Sequence, residues 1–310
     1  MIGRPAPYPL DQSVPRLQKE PRGNLYLISA LRKRKNGRDQ TMSRALHLAV
    51  VMLVTAFSIQ TAVAQEHFLH ALGHFETLST TQGILIAAPH GTYDIRTDVL
   101  AKDVARTLGA GYVIAGGFAS PSPRINVNRP SEGAGHTCEK ERRTERARDV
   151  YDQYARLIDK IRDGKPLRLY VEIHGHTSIP FLNRLEIATT GITTEEARRL
   201  KDRFPAFLAQ AKAAYPAYPD LELRIEPLDK IYFGARCNKT TGYLSTRNME
   251  RALHMEIPRP ARTPEALKAT AALVSSIVRA TMTISESASG PGPKRATSDA
   301  DKKSSGGPAR

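Results

Sequence analysis

The chain has 310 residues, a formal net charge of +15 and a 40 % hydrophobic share, enough for one sizeable domain or two small ones. Two cysteines are too few for a disulfide framework or a thiolate metal cluster. Much of the positive charge lies at the ends: residues 1–41 hold nine Lys/Arg against three Asp/Glu, and 285–310 hold five against three. The mildly basic middle carries no aromatic–basic motif, which argues against a nucleic-acid partner and suits an anionic substrate better.

Residues 1–41 are Pro-rich, carry the run Arg32-Lys33-Arg34-Lys35, and are expected to be disordered. Residues 42–64 read as a secretory signal peptide. Met42 and Arg44 give a basic start, 45–59 are mostly apolar, and Ala62-Val63-Ala64 is a cleavage site. The apolar run is short for a membrane span; the rival reading is an uncut anchor helix. A signal beginning at an internal Met leaves two starts open, Met1 and Met42. The expected location is periplasmic or secreted, with no membrane contact after cleavage. The working domain is then 65–284, followed by a Gly/Pro/Ser/Lys tail, 285–310, too polar to fold.

His67, His70 and His74, three and four apart, predict an entry helix burying Phe68, Leu69 and Leu72, or a weak surface metal site. Ile84–Ala88 is a continuous apolar run, as in a central strand. Residues 97–108 form an amphipathic helix and 112–115 a second strand. Residues 139–163 are a charged helix with Val150, Tyr154, Leu157 and Ile161 on one stripe. Residues 167–173 alternate as a strand does. Thr193-Thr194-Glu195-Glu196 is a capping box opening a helix to about Ala214. Residues 221–225 and 253–257 read as strands, and Thr263-Pro264-Glu265 starts a last helix. Strands alternating with helices predict an α/β fold with a parallel or mixed sheet.

Four stretches carry chemistry. Pro89-His90-Gly91-Thr92-Tyr93-Asp94 follows the first apolar strand at its C-terminal end, where open α/β sheets bind ligands. Glu172-Ile173-His174-Gly175-His176 places Tyr170, Glu172, His174 and His176 on one strand face. His254 and Glu256 likewise point one way from their strand. Arg124-Ile125-Asn126-Val127-Asn128-Arg129 offers guanidinium and amide donors for a carboxylate. Singly, each also reads as a capping loop, a solvated face, an edge residue or a basic turn. Two imidazoles and a carboxylate bind zinc and leave a fourth position for water, whose proton a further carboxylate must take; Glu256 fits that part.

Taken together, "PHG…D", "NRP", "EIHGH" and "MEIPR" resemble the N-formylglutamate amidohydrolase family and its poly-γ-glutamate hydrolase and zinc carboxypeptidase relatives, from about Ile84 to Arg262. The resemblance implies a phosphorylase/hydrolase-like three-layer α/β fold with a mixed, largely parallel central sheet. It implies Zn2+ held by His90, Asp94 and His174, with Glu256 as general base. Asn128 and Arg129, with Arg124, would grip the substrate carboxylate. Asp94 stands where relatives carry Glu, and Asn126 where they carry Asp. His176 has no clear counterpart and is assigned as an oxyanion donor or a partner of the ligands.

The function expected is zinc-dependent hydrolysis of an amide in a carboxylate-bearing substrate, N-formylglutamate or another N-acyl amino acid. An exported metallopeptidase or amidase on peptides, cell-wall amides or γ-glutamyl polymers is the second reading. A non-catalytic metal- or ligand-binding protein is the third. Export also predicts that Cys138 and Cys237 pair, which in the chain-entropy view contributes roughly 4–5 kcal/mol.

Overall fold

The computed structural model describes residues 65–79, 82–133 and 137–288, with side chains as far as 284. The expected extension, signal peptide and most of the tail lie outside the described residues. In chain order the strands are β1 (Gln65–His70), β2 (Gly73–Leu78), β3 (Ile84–Ala88), β4 (Gly111–Gly116), β5 (Ile125–Asn126), β6 (Ser131–Glu132), β7 (Leu169–His176), β8 (Arg184–Thr190), β9 (Glu222–Ile225) and β10 (Ala252–Pro258). The helices are α1 (Thr97–Leu108), α2 (Glu145–Arg162), α3 (Thr194–Ala214), α4 (Arg236–Thr241) and α5 (Leu267–Ala288).

Eight strands form one sheet in the order β1-β2-β4-β3-β7-β10-β8-β9. The four central strands β4, β3, β7 and β10 run parallel, and the β1-β2-β4 and β10-β8 pairings are antiparallel. This is the mixed, largely parallel α/β sheet expected.

Alternation sorts the side chains. Leu169, Val171 and Ile173 of β7, with Leu253, Met255 and Ile257 of β10, face the core beneath α1, α3 and α5. Leu85, Tyr170 and Ala252 face the opposite way, against Val150, Tyr154 and Ile158 of α2. Helices thus cover both faces, giving three layers. The α3 capping box forms as predicted, with the Thr193 hydroxyl and the Glu196 carboxylate serving each other's backbone N–H. Helix α5 is apolar enough to cross a membrane by length and composition, but most of it is buried in the core.

Two expectations need correction, and one strand was not expected. His67, His70 and His74 lie on the β1-β2 hairpin, not a helix. Leu69 is 87 % exposed, and His70 pairs with Asp149 at 3.0 Å. The i, i+3, i+7 spacing fitted a helix, but a turn at 71–72 splits the segment into two period-2 runs. The expected helix 139–163 begins only at Glu145, where the Thr144 hydroxyl accepts from Ala147 N; before it, Cys138–Lys140 is a short 3-10 turn. β8 was not anticipated, although Leu185 and Ile187 alternate into the core as a strand requires.

Candidate metal centre

The centre lies at the C-terminal ends of β3, β7 and β10, on the α2 side of the sheet. Beyond Tyr170 and Ala252 the inward face turns polar: Glu172, His174 and His176 follow on β7, and His254 and Glu256 on β10. Register places His254 beside Glu172, and Glu256 beside His174.

After β3 the chain makes a tight turn, with Tyr93 N and Asp94 N both donating to the His90 carbonyl. That turn brings His90 and Asp94 together. Gly91 lies so close to β4 that a Cβ would meet the Ala115 carbonyl at 2.8 Å. His90 Nδ1 is 3.3 Å from Asp94 Oδ2 and 3.2 Å from His174 Nδ1, and His174 Nδ1 is 3.4 Å from Asp94 Oδ2. Donors held tetrahedrally about 2.05 Å from a divalent metal such as zinc are themselves about 3.3 Å apart. These three atoms form that triangle, and they are a group able to hold a metal ion.

The electrostatics fit a cation. Burial holds the His90 imidazole below its ordinary pKa, which favours the neutral form that a ligand needs. Burial acts against a charged Asp94, yet hydrogen bonds from both imidazoles hold its carboxyl well below the usual range. Burial likewise opposes charge on His174, but its bonds to Asp94 and Glu172 and the nearby Glu256 push it up to about 10. Three surrounding carboxylates thus favour positive charge at His174, a charge that a bound cation supplies while the ring gives up its proton to become a ligand.

Glu172 is fully buried and holds the opposite edge of the His174 ring. Its Oε2 lies 3.3 Å from His174 Nε2 and accepts from Asn128 (3.2 Å), Asn238 (2.7 Å) and His254 Nδ1 (2.8 Å), while Oε1 accepts from the Tyr170 hydroxyl at 2.9 Å. Glu172, His174 and His254 are also close enough to be a metal group. With five donors already around it, however, Glu172 acts as the partner that orients His174. His254 then links Glu172 to Glu256, its Nε2 3.5 Å from Glu256 Oε1.

The other expected residues are dispersed. Arg124 lines a small cavity with His90, Thr92 and Tyr93, its guanidinium 3.8 Å above the Tyr93 ring and its Nε buried without a hydrogen-bond partner. Asn128 and Arg129, expected to grip substrate, are committed inward. Asn128 is fully buried on Glu172, while Arg129 forks onto Glu141 and donates to Asn128 Oδ1 at 3.1 Å. His176 Nε2 lies 3.2 Å from the Arg184 carbonyl, and its Nδ1 is buried without a hydrogen-bond partner. Cys138 and Cys237 form a disulfide.

Arg262 escaped the sequence reading. It is buried and donates to the carbonyls of Ile95, Ile257 (3.1 Å) and His176 (3.2 Å), fastening the ends of β10 and β7 to the His90–Asp94 turn. Gly175 makes room for it, since a Cβ there would meet Arg262 Cζ at 2.2 Å. Asn238 and His254 were also missed as partners of Glu172. Proximity across 66 and 82 residues leaves no local signature.

No protein-family model matches the chain. No curated protein matches it either. Among solved structures it is similar to a bacteriophage poly-γ-glutamate hydrolase (9 % identity, 75 % of this chain and 97 % of that one, TM-score 0.41). Two others are a metallo-carboxypeptidase of Burkholderia cenocepacia (14 %, 78 % and 69 %, 0.35) and bovine thrombin-activatable fibrinolysis inhibitor (10 %, 77 % and 97 %, 0.42).

Proposed function

We propose that this protein is a zinc-dependent hydrolase that cleaves an amide bond in a carboxylate-bearing substrate. The observation that carries the proposal is the triangle of His90, Asp94 and His174 donor atoms with Glu256 on the strand position beside His174. Zinc bound there would polarise a carbonyl and lower the pKa of its water to about 7.

The chain's own residues supply the rest. Glu256 takes the proton of the attacking water and passes it to the leaving nitrogen. Arg124, in the cavity that His90 also lines, anchors the substrate carboxylate and aligns the scissile bond with the ligands. Arg129 and Asn128 position this arrangement from beneath, through Glu141 and Glu172.

N-formylglutamate and other N-acyl amino acids satisfy this chemistry. The disulfide favours an oxidising compartment, hence an exported enzyme, for which short peptides, cell-wall amides or γ-glutamyl polymers are equally fitting. The test is Glu256→Gln in the zinc-loaded protein, assayed on N-formylglutamate and a panel of N-acyl dipeptides. Turnover should fall at least about a thousandfold while the zinc content stays at the wild-type level. Wild-type rates in the variant would refute the assignment of Glu256.

A further inference from the structure

The centre continues one strand further than the proposed reaction requires. Glu186 on β8 is the register partner of Glu256 on β10, as Glu256 is of His174 on β7. Three side chains therefore stand in a row on one sheet face, with neighbours about 4.8 Å apart along it. Glu186 is 1 % exposed, and its Oε2 accepts from the backbone N–H of Tyr232 (2.8 Å) and Phe233 (2.9 Å). Its Oε1 is buried with no hydrogen-bond partner.

A second buried polar atom on the same face also lacks a partner. His176 is 5 % exposed; its Nε2 lies against the Arg184 carbonyl and its Nδ1 has no hydrogen-bond partner. Both residues border Phe233: its N–H reaches Glu186, and its ring stacks on His176 at 4.8 Å. Phe181 and Tyr232 complete an aromatic rim around Phe233, and Tyr232 is 62 % exposed. Buried acceptors left unmatched are costly, and a carboxylate most of all. A carboxylate oxygen left unpaired under aromatic rings matches a group that offers only donors and positive charge.

We propose that Glu186, with the Phe181/Tyr232/Phe233 rim, recognises a cationic group on the acyl side of the substrate. The inference rests on the hydrolase reading above and deepens it. Across the strand ends the order runs from Arg124 through His90, His174 and Glu256 to Glu186. A substrate whose carboxylate lies on Arg124 places its amide at the metal ligands and its acyl portion toward Glu186. An ammonium or guanidinium carried by that acyl portion meets the open oxygen. A formyl group leaves Glu186 with nothing to hold, so the inference selects an acyl group of amino-acid size.

The test compares N-acetyl-lysyl-glutamate with N-acetyl-norleucyl-glutamate, which differ only in the ammonium. For the zinc-loaded wild-type chain, kcat/KM should favour the lysyl compound by roughly ten- to a hundredfold, the worth of one charge-assisted bond. Glu186→Gln keeps an oxygen for the two backbone donors, and there the ratio should fall to within about twofold. Dissociation constants of both compounds for Glu256→Gln read the same preference without turnover. A lysyl preference in binding with no hydrolysis of either compound upholds the cation site and sinks only the hydrolase reading. Equal handling of the two compounds by wild type, or an equal loss on both in Glu186→Gln, overturns the inference.

Discussion

Glu172 shows how much a single residue sets here. Its carboxylate is buried, yet hydrogen bonds and the nearby imidazoles overcome burial and hold its pKa well below the usual range. Charged in the interior, it needs all its donors. Glu172→Gln keeps the shape but sets an amide N–H against some of Asn128, Asn238, Tyr170 and two imidazoles. Loss of a carboxylate behind a metal-binding His typically costs about 10–100-fold in metal affinity. Zinc titration of the variant should show that loss, while Glu256→Gln, one strand over, should bind zinc as wild type does. Equal affinities in wild type and Glu172→Gln would remove Glu172 from the account. Arg262→Lys should also impair the site, since one ammonium cannot serve three diverging carbonyls. We expect reduced kcat and a lowered Tm, and Gly175→Ala should reproduce both by displacing the same guanidinium.

At the level of elements, the β5-β6 ribbon is tied to the centre by an ion pair, Arg129–Glu141, backed by the Ser131 hydroxyl at 2.7 Å. Burial would raise the Glu141 pKa, but the Arg129 fork outweighs it and the net shift is downward. The folded pKa thus lies below the unfolded one. The pair's stabilisation is fully present above the unfolded carboxylate pKa, about 4.3, and is lost as pH falls through the lower, folded value. Stability measured from pH 6 down to pH 3 should decline less steeply in Glu141→Gln than in wild type. Parallel curves would show that the pair contributes no such linkage.

Much of this level was legible. Ile84–Ala88 matched β3 residue for residue because a continuous apolar run of 5 residues is too short for a helix, and the α3 capping box announced itself. The His90/Asp94 pair was legible because one turn makes it, and the β7 face because alternation does. The β1-β2 hairpin was not, since His67, His70 and His74 satisfy a helical spacing by accident. Nor were the inward commitments of Asn128 and Arg129, whose partners Glu172 and Glu141 lie 44 and 12 residues away.

Over the whole molecule, the Cys138–Cys237 bridge spans 99 residues and fastens two arms of the centre. Cys138 precedes Glu141, the partner of Arg129, and Cys237 precedes Asn238, the partner of Glu172. In the chain-entropy view a loop of that length contributes about 4.7 kcal/mol, worth roughly 10–15 °C of Tm in a domain of this size. The double Cys138→Ser/Cys237→Ser variant should melt that much lower and bind zinc more weakly. An unchanged Tm would show that the bridge constrains little. The claim on which all else rests is that sequence-distant donors on two strand ends enclose one metal ion. Anomalous diffraction at the zinc edge, on crystals of the zinc-loaded protein, tests it directly. The account predicts a single strong peak about 2.0–2.2 Å from His90 Nδ1, Asp94 Oδ2 and His174 Nδ1. A map with no peak there, or with its peak at His254 instead, would contradict it.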